Sequence, residues 1–268
     1  MTVAPRVELH SEVAGSGSPL VLVHAGVCDS RMWDPQWESF QRAHRVVRYD
    51  MRGFGRSQLS PGRYSHPGDL VALLDELKLG PAALIGASLG GGVSLQVAVA
   101  RPDLVSALVL VGSGVRGHDW SDYVTRAWAD EEAALARLDL DGAVEGNLRA
   151  WIDGPNRSPD EVDPAVRSKV AEMQRTGFEQ SLAGVEDAEE EALVEDVGER
   201  LGEIAAPVLV LVGEHDVPDV HVIGERLERE IPGARRVTIE GAGHLVSLEK
   251  PALFEELVLA FLAEAEAA

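Results

Sequence analysis

The stretch "ALIGASLGGGVSLQVAVARP", Ala83 to Pro102, sets one serine among glycines between an apolar run and a helix-like tail. Ser88 has Gly-x-Ser-x-Gly spacing, with Gly86 and Gly90 on either side and Gly91 and Gly92 beyond. A strand that turns directly into a helix at such a serine strains its backbone and exposes its hydroxyl. Flanking glycines remove the side chains that would clash. A helix beginning at Leu89 aims free N–H groups at the same spot, which suits a developing oxyanion. A serine hydroxyl is a weak nucleophile until a base takes its proton, and that base is ordinarily a histidine oriented by a carboxylate. The chain must therefore supply a histidine and an acid.

Two loops do so. "EGAGHLVSLEKP" offers His244 on a Gly-rich loop after an apolar run, and "LVGEHDVPD" offers Asp216 just past the run before it. The order is Ser, Asp, His, each at the carboxyl end of an expected strand, where open parallel sheets build sites. Competitors are weaker. His215 adjoins Asp216, and neighbours on a short loop usually point apart. Asp219 is a second carboxylate close to the acid position. His24, in "HAG", suits a structural hydrogen bond, and Asp50, in "YDMRGFGRS", suits fixing its own loop. The eight histidines form no H-x-x-x-H or H-E-x-x-H spacing, so no metal site is expected.

These residues need elements to hold them. "PLVLVHAG", "HRVVRYDMRG", "AALIGAS", "VSALVLVGSG", "PVLVLVGEHD" and "ARRVTIEGAGH" read as strands. Their continuous hydrophobicity fits a parallel sheet covered on both faces. Helices are expected at "GDLVALLDELKL", "LGGGVSLQVAVA", "VIGERLEREI" and "PALFEELVLAFLAEA". "RVELHSEVAGSGSP" reads as an antiparallel hairpin at the sheet edge with a Gly/Ser turn. Strand–helix alternation predicts an α/β doubly wound, mostly parallel sheet. The alternation breaks between residues 115 and 203, a helix-rich, Trp-containing, acidic stretch. It reads as an insertion over the strand ends, dividing the core into residues 1–114 and 204–268.

The 268 residues, 45% of them hydrophobic, suffice for one core with an inserted lid and exclude wholesale disorder. A net charge of -21 repels phosphate backbones and anionic lipid, so neither nucleic acid nor membrane is an expected partner. The densest acidic run, Glu186 to Asp196, reads as a solvated helix face or loop. "MTVAPRVELHSE" lacks a basic-then-apolar leader, and no apolar window reaches the roughly 18 residues of a membrane helix. A soluble, cytoplasmic protein is expected. The single cysteine, Cys28, excludes an internal disulfide and fits a reducing compartment.

In order, "LVLVHAG", "VVRYDMRGFGRS", "LIGASLGG", "PVLVLVGEHDVPD" and "GAGHLVSLEKP" resemble the landmarks of the α/β-hydrolase superfamily. The resemblance spans the chain outside the insertion, about two-thirds of it, and is specific for fold rather than activity. It implies Ser88 as nucleophile, Asp216 as acid and His244 as base. It also implies an oxyanion hole from the backbone N–H groups of Leu89 and Gly26, with Val27 next. Where the family often has His-Gly, this chain has His24-Ala25, a change that leaves a backbone N–H intact. Haloalkane dehalogenases and epoxide hydrolases of this fold need Asp in place of Ser88. The resemblance implies no cofactor, a small-molecule substrate, and a helical cap at residues 115–203.

Ester or lactone hydrolysis is the leading expectation, and "SRMWDPQ" is similar to the same region of 3-oxoadipate enol-lactonases. A carbon–carbon bond hydrolase or cofactor-free haloperoxidase-like enzyme would use the same triad, and the superfamily also includes non-catalytic ligand receptors. Val27, Met32, Trp33, Trp120, Trp128 and Trp151 are candidates to line the pocket, although tryptophans at helical spacing also serve as plain core.

Overall fold

The computed structural model describes residues 9–182 and 187–267. Its strands are β1 (Ser11–Ala14), β2 (Ser18–Val23), β3 (His44–Tyr49), β4 (Gly62–Tyr64), β5 (Ala82–Ala87), β6 (Val105–Val111), β7 (Ala188–Glu190), β8 (Val208–Gly213) and β9 (Arg235–Ile239). Seven form one sheet in the order β1-β3-β2-β5-β6-β8-β9, while β4 and β7 pair as a separate parallel ribbon. Within the large sheet only β1 runs antiparallel to its neighbour. All six residues of β5 and all six of β8 are buried, which explains their unbroken apolar sequence.

Strand order dictates where the helices go. The crossover from β2 through α1 (Asp34–Phe40) to β3 moves one way along the sheet. Those through α2 (His66–Leu77), α3 (Leu89–Ala100) and, between β8 and β9, α7 (Pro218–Glu230) move the other way. Because parallel crossovers are right-handed, α1 lies on one face and α2, α3 and α7 on the opposite one. The short helix α8 (Val246–Glu249) leads into α9 (Pro251–Ala267), which packs on α1, with the Phe40 and Phe254 rings 6.4 Å apart.

The edge departs from the sequence expectation. β1 is an antiparallel edge strand, but its partner is β3, with Ala14 opposite Val46, and it forms no hairpin with β2. Alternation specifies which face a strand buries and says nothing of its neighbour. Arg6 to Glu8, the start of that expected hairpin, lies outside the described residues.

Parallel register then aligns the strand ends. Ala87 pairs with Val111, Val111 with Leu211, and Gly213 with Ile239. The loops carrying Ser88, Asp216 and His244 therefore leave the same edge. Between β6 and β8 run α4 (Asp122–Ala136), α5 (Leu140–Asn147), a π-helical turn (Leu148–Asp153), α6 (Pro164–Leu182) and β7. Glu186, which opens the acidic run, lies outside the described residues; the remainder forms β7 and an irregular stretch. Among the described residues no helix is long and apolar enough to cross a membrane.

Candidate active site

Ser88 occupies the single position between β5 and α3, with φ 51° and ψ -114°. That backbone is costly for a residue with a Cβ, on the order of 1–3 kcal/mol, and persists only where its surroundings over-determine it. Here they do. The Ser88 N–H donates to the Val111 carbonyl (2.8 Å), and the Ser88 carbonyl accepts from Gly91, Gly92 and Gly114 (3.0, 3.2 and 3.3 Å). The glycines have a steric reason: a Cβ on Gly86 would stand 2.4 Å from the Gly90 carbonyl oxygen, and one on Gly90 2.4 Å from that of Val23. The Ser88 side chain caps no helix N–H and lines a cavity of about 620 Å³.

A buried pair forms the second element of the site. His244 Nδ1 stands 3.0 and 2.9 Å from the two oxygens of Asp216. Asp216 Oδ1 also accepts the Val217 N–H at 2.8 Å. With Nδ1 carrying the proton that Asp216 accepts, Nε2 of the neutral ring holds the lone pair. Gly112 follows Val111, which bonds Ser88, and its φ is +53°. A Cβ there would lie 3.1 Å from His244 Nδ1 and 3.2 Å from Asp216 Oδ2. Gly112 thus joins the serine turn to the buried pair. On another side, the Trp151 ring lies 4.8 Å from the imidazole, tilted by 41°. Trp151 belongs to the π-helical turn, a rare geometry that recurs at functional sites.

The competitors have other employment. His215 is partly exposed beside Glu214, at 3.8 Å. His24 is buried, with Nδ1 bonded to the Ala25 carbonyl and Nε2 accepting the Met51 N–H, both at 2.9 Å. Burial pushes its pKa down, in keeping with a neutral ring. Asp50 fixes its loop by accepting from the Ser30 and Arg56 N–H groups, each at 2.8 Å. Asp219 accepts the N–H and the hydroxyl of Ser121 at 2.7 and 2.6 Å, at the start of α4.

Gly26 and Leu89 face each other, since a Cβ on Gly26 would meet the Leu89 side chain at 3.4 Å. Gly26 and Val27 are the central residues of a turn closed by the Cys28 N–H to the Ala25 carbonyl, at 3.0 Å. Leu89 opens α3, where N–H groups lack a carbonyl one turn earlier. Val27, Trp120, Trp128 and Trp151 all line the cavity. Met32 and Trp33 correct the expectation: both are fully buried and outside its lining. The 3-10 helix Ser30–Trp33 turns them into the core. There Met32 sulfur accepts the Ala25 N–H at 3.3 Å, and Trp33 packs 6.1 Å from Phe254.

Sequence reasoning missed the polar residues of the cavity wall. Glu131 lines it from α4, accepting Asn147 Nδ2 at 2.6 Å. Burial pushes the Glu131 carboxyl up, against the opposing effect of the Asn147 bond. Gln174, from α6, is buried with its amide oxygen unpartnered. A signal existed for Glu131: Trp128, Glu131 and Leu135 stand at helical i, i+3, i+7 spacing, and all three line the cavity. Among the described residues no three His, Cys, Asp or Glu side chains group as a metal site would require.

The family model described as "alpha/beta hydrolase fold" matches residues 18–251. The chain is 29% identical to 2-hydroxymuconate semialdehyde hydrolase of Pseudomonas sp. (strain CF600), over 98% of this chain and 92% of that one. Among solved structures it resembles a thermophilic esterase from Thermogutta terrifontis, with TM-score 0.80, 28% identity, and 98% and 96% of the two chains covered. It also resembles the enol-lactonase from Burkholderia xenovorans LB400, with TM-score 0.76, 26% identity, and 96% and 97% covered.

Proposed function

This chain belongs to the alpha/beta hydrolase fold family, and on that premise we propose that it cleaves a carboxylic ester or lactone of a small molecule through an acyl-enzyme on Ser88. The observation that carries the reading is Ser88 at positive φ on a cavity wall, joined through Gly112 to the buried His244–Asp216 pair. Likeness to an esterase and an enol-lactonase supports the ester or lactone bond.

In this mechanism the Ser88 hydroxyl attacks the substrate carbonyl and its proton passes to His244 Nε2. Asp216 keeps the ring in the tautomer that can accept it and stabilises the imidazolium that results. The carbonyl oxygen, now an anion, takes hydrogen bonds from the Leu89 and Gly26 N–H groups. His244 returns the proton to the departing alcohol oxygen. Water, deprotonated by His244, then attacks the acyl carbonyl and frees Ser88. Residues 115–203 act as the cap that selects the substrate, through Trp120, Trp128 and Trp151, with Val27 on the core side. The likeness to a semialdehyde hydrolase favours one second reading. A semialdehyde holds no ester, so the same triad would cleave a carbon–carbon bond.

The test is a panel of p-nitrophenyl esters and lactones of varied acyl length, run on the wild type and Ser88→Ala. Ser88→Ala is expected to fold normally and lose at least about a thousandfold in kcat/KM. A fluorophosphonate probe is expected to label the wild type at Ser88 alone. Equal labelling of the variant would overturn the assignment.

A further inference from the structure

The charges around the cavity are unequal in how they are balanced. Two arginines line it, and each is paired: Arg52 with Asp69 at 2.7 Å and Arg116 with Glu195 at 2.6 Å. Glu131 also lines it, and among the described residues no cation stands within ion-pairing distance of its carboxylate. Its partner is the neutral amide of Asn147, which engages Oε2 alone. Trp128, one helical turn earlier on the same face of α4, meets Trp120 edge to face at 5.3 Å between ring centroids. Gln174 also contributes to the lining, but its unpartnered amide oxygen is turned into the protein and away from the cavity.

A half-buried carboxylate with no cation among the described residues and two indole rings share one chemical complement. It is a positively charged nitrogen, which supplies N–H donors to the oxygens and charge to the ring faces. We propose that the substrate carries a cationic nitrogen, received by Glu131 with Trp120 and Trp128, while its ester or lactone carbonyl meets Ser88. This deepens the hydrolase reading and rests on it for the position of the carbonyl. An anionic substrate group meets the opposite conditions, because the cavity's arginines are already neutralised by carboxylates.

Two arms test this separately from catalysis. In the first, Ser88→Ala binds n-hexylammonium, n-hexanol or hexanoate, followed by tryptophan fluorescence. The ammonium is expected to bind at least about tenfold more tightly than the alcohol, and hexanoate most weakly, as a buried charge-assisted contact requires. Adding Glu131→Gln is expected to erase the ammonium-to-alcohol ratio. Should that variant fail to fold by near-UV circular dichroism, Trp128→Leu takes its place, with the ratio expected to fall at least about threefold. In the second arm, the wild type hydrolyses the p-nitrophenyl esters of 6-aminohexanoate, heptanoate and adipate, with kcat/KM expected to fall in that order. An alcohol that binds as tightly as the ammonium, or a ratio unmoved in the folded variant, overturns the cation site. Ammonium selectivity in binding without any ester turnover would retain the site and overturn the hydrolase reading.

Discussion

Asp216 and Asp219 stand three residues apart, each facing a histidine, yet the two pairs are built for different ends. Both oxygens of Asp216 converge on His244 Nδ1, and among the described residues the one further bond to its carboxylate comes from the adjacent Val217 N–H. Asp219 gives both oxygens to Ser121, and His118 Nε2 reaches it only at 3.3 Å. The first carboxylate therefore determines how a ring sits. The second is saturated by the opening of α4 and ties that helix to the first turn of α7. Burial does not separate them, since both are nearly inaccessible. The number of acceptor sites left for the ring does.

That contrast breaks most easily at the acid itself. Asp216→Asn is expected to lower kcat by about ten-thousandfold, because an amide favours the wrong imidazole tautomer. Asp219→Asn is expected to stay within about tenfold of the wild type, since no reacting group depends on it. Steady-state kinetics on both variants decides the matter, and equal losses would require a different acid.

A smaller effect is expected at the glycine between serine and pair. Gly112→Ala brings a Cβ to 3.1 and 3.2 Å from the His244–Asp216 contact at a φ of +53°. We expect a loss of about tenfold to a hundredfold in kcat and a melting temperature a few degrees lower. A variant that melts early but turns over normally would separate Gly112 from the pair.

The smallest effect belongs to the second carboxylate and reads as stability. Burial draws Asp219 toward the neutral acid, but the hydrogen bonds from Ser121 and His118 outweigh it and hold the carboxyl below its usual pKa. Such a group stabilises the fold fully above the ordinary carboxylate pKa of about 4, and loses that effect as pH falls through the lower folded value. Asp219→Asn is expected to cost about 1–2 kcal/mol. The gap in melting temperature should hold between about pH 5 and 8 and close in stronger acid. A gap that widens toward acid would show that the bonds to Ser121 do not need the charge.

Some of this architecture is legible in the chain. The apolar runs ending at Ala87, Val111 and Gly213 mark buried parallel strands, and Gly-x-Ser-x-Gly marks the turn between strand and helix, whereas the run ending at Ile239 is a largely uncovered edge strand. What escapes is direction. Nothing in "SRMWDPQ" says that its 3-10 helix rolls Met32 and Trp33 into the core instead of into the cavity. Nothing in "ELHSEVA" says that β1 pairs with β3. Glu131, Asn147 and Gln174 escape for another reason: single polar residues on helices resemble any solvated face until three helices bring them around one cavity. Trp151 is half legible, present as a pocket candidate without its contact to His244.

The π-helical turn at Leu148–Asp153 amounts to an α-helix that has absorbed one extra residue. Each α-helical residue advances the chain by about 100°, so deleting one here would swing Trp151 away from the imidazole or Asp153 away from Arg167, now 2.8 Å apart. The indole's aim over the imidazole is thus written in the length of the chain as much as in its letters. Point substitutions explore what the wall is made of. A one-residue insertion or deletion in this turn rotates the wall itself, giving this fold a coarse adjustment that side-chain exchange cannot reproduce.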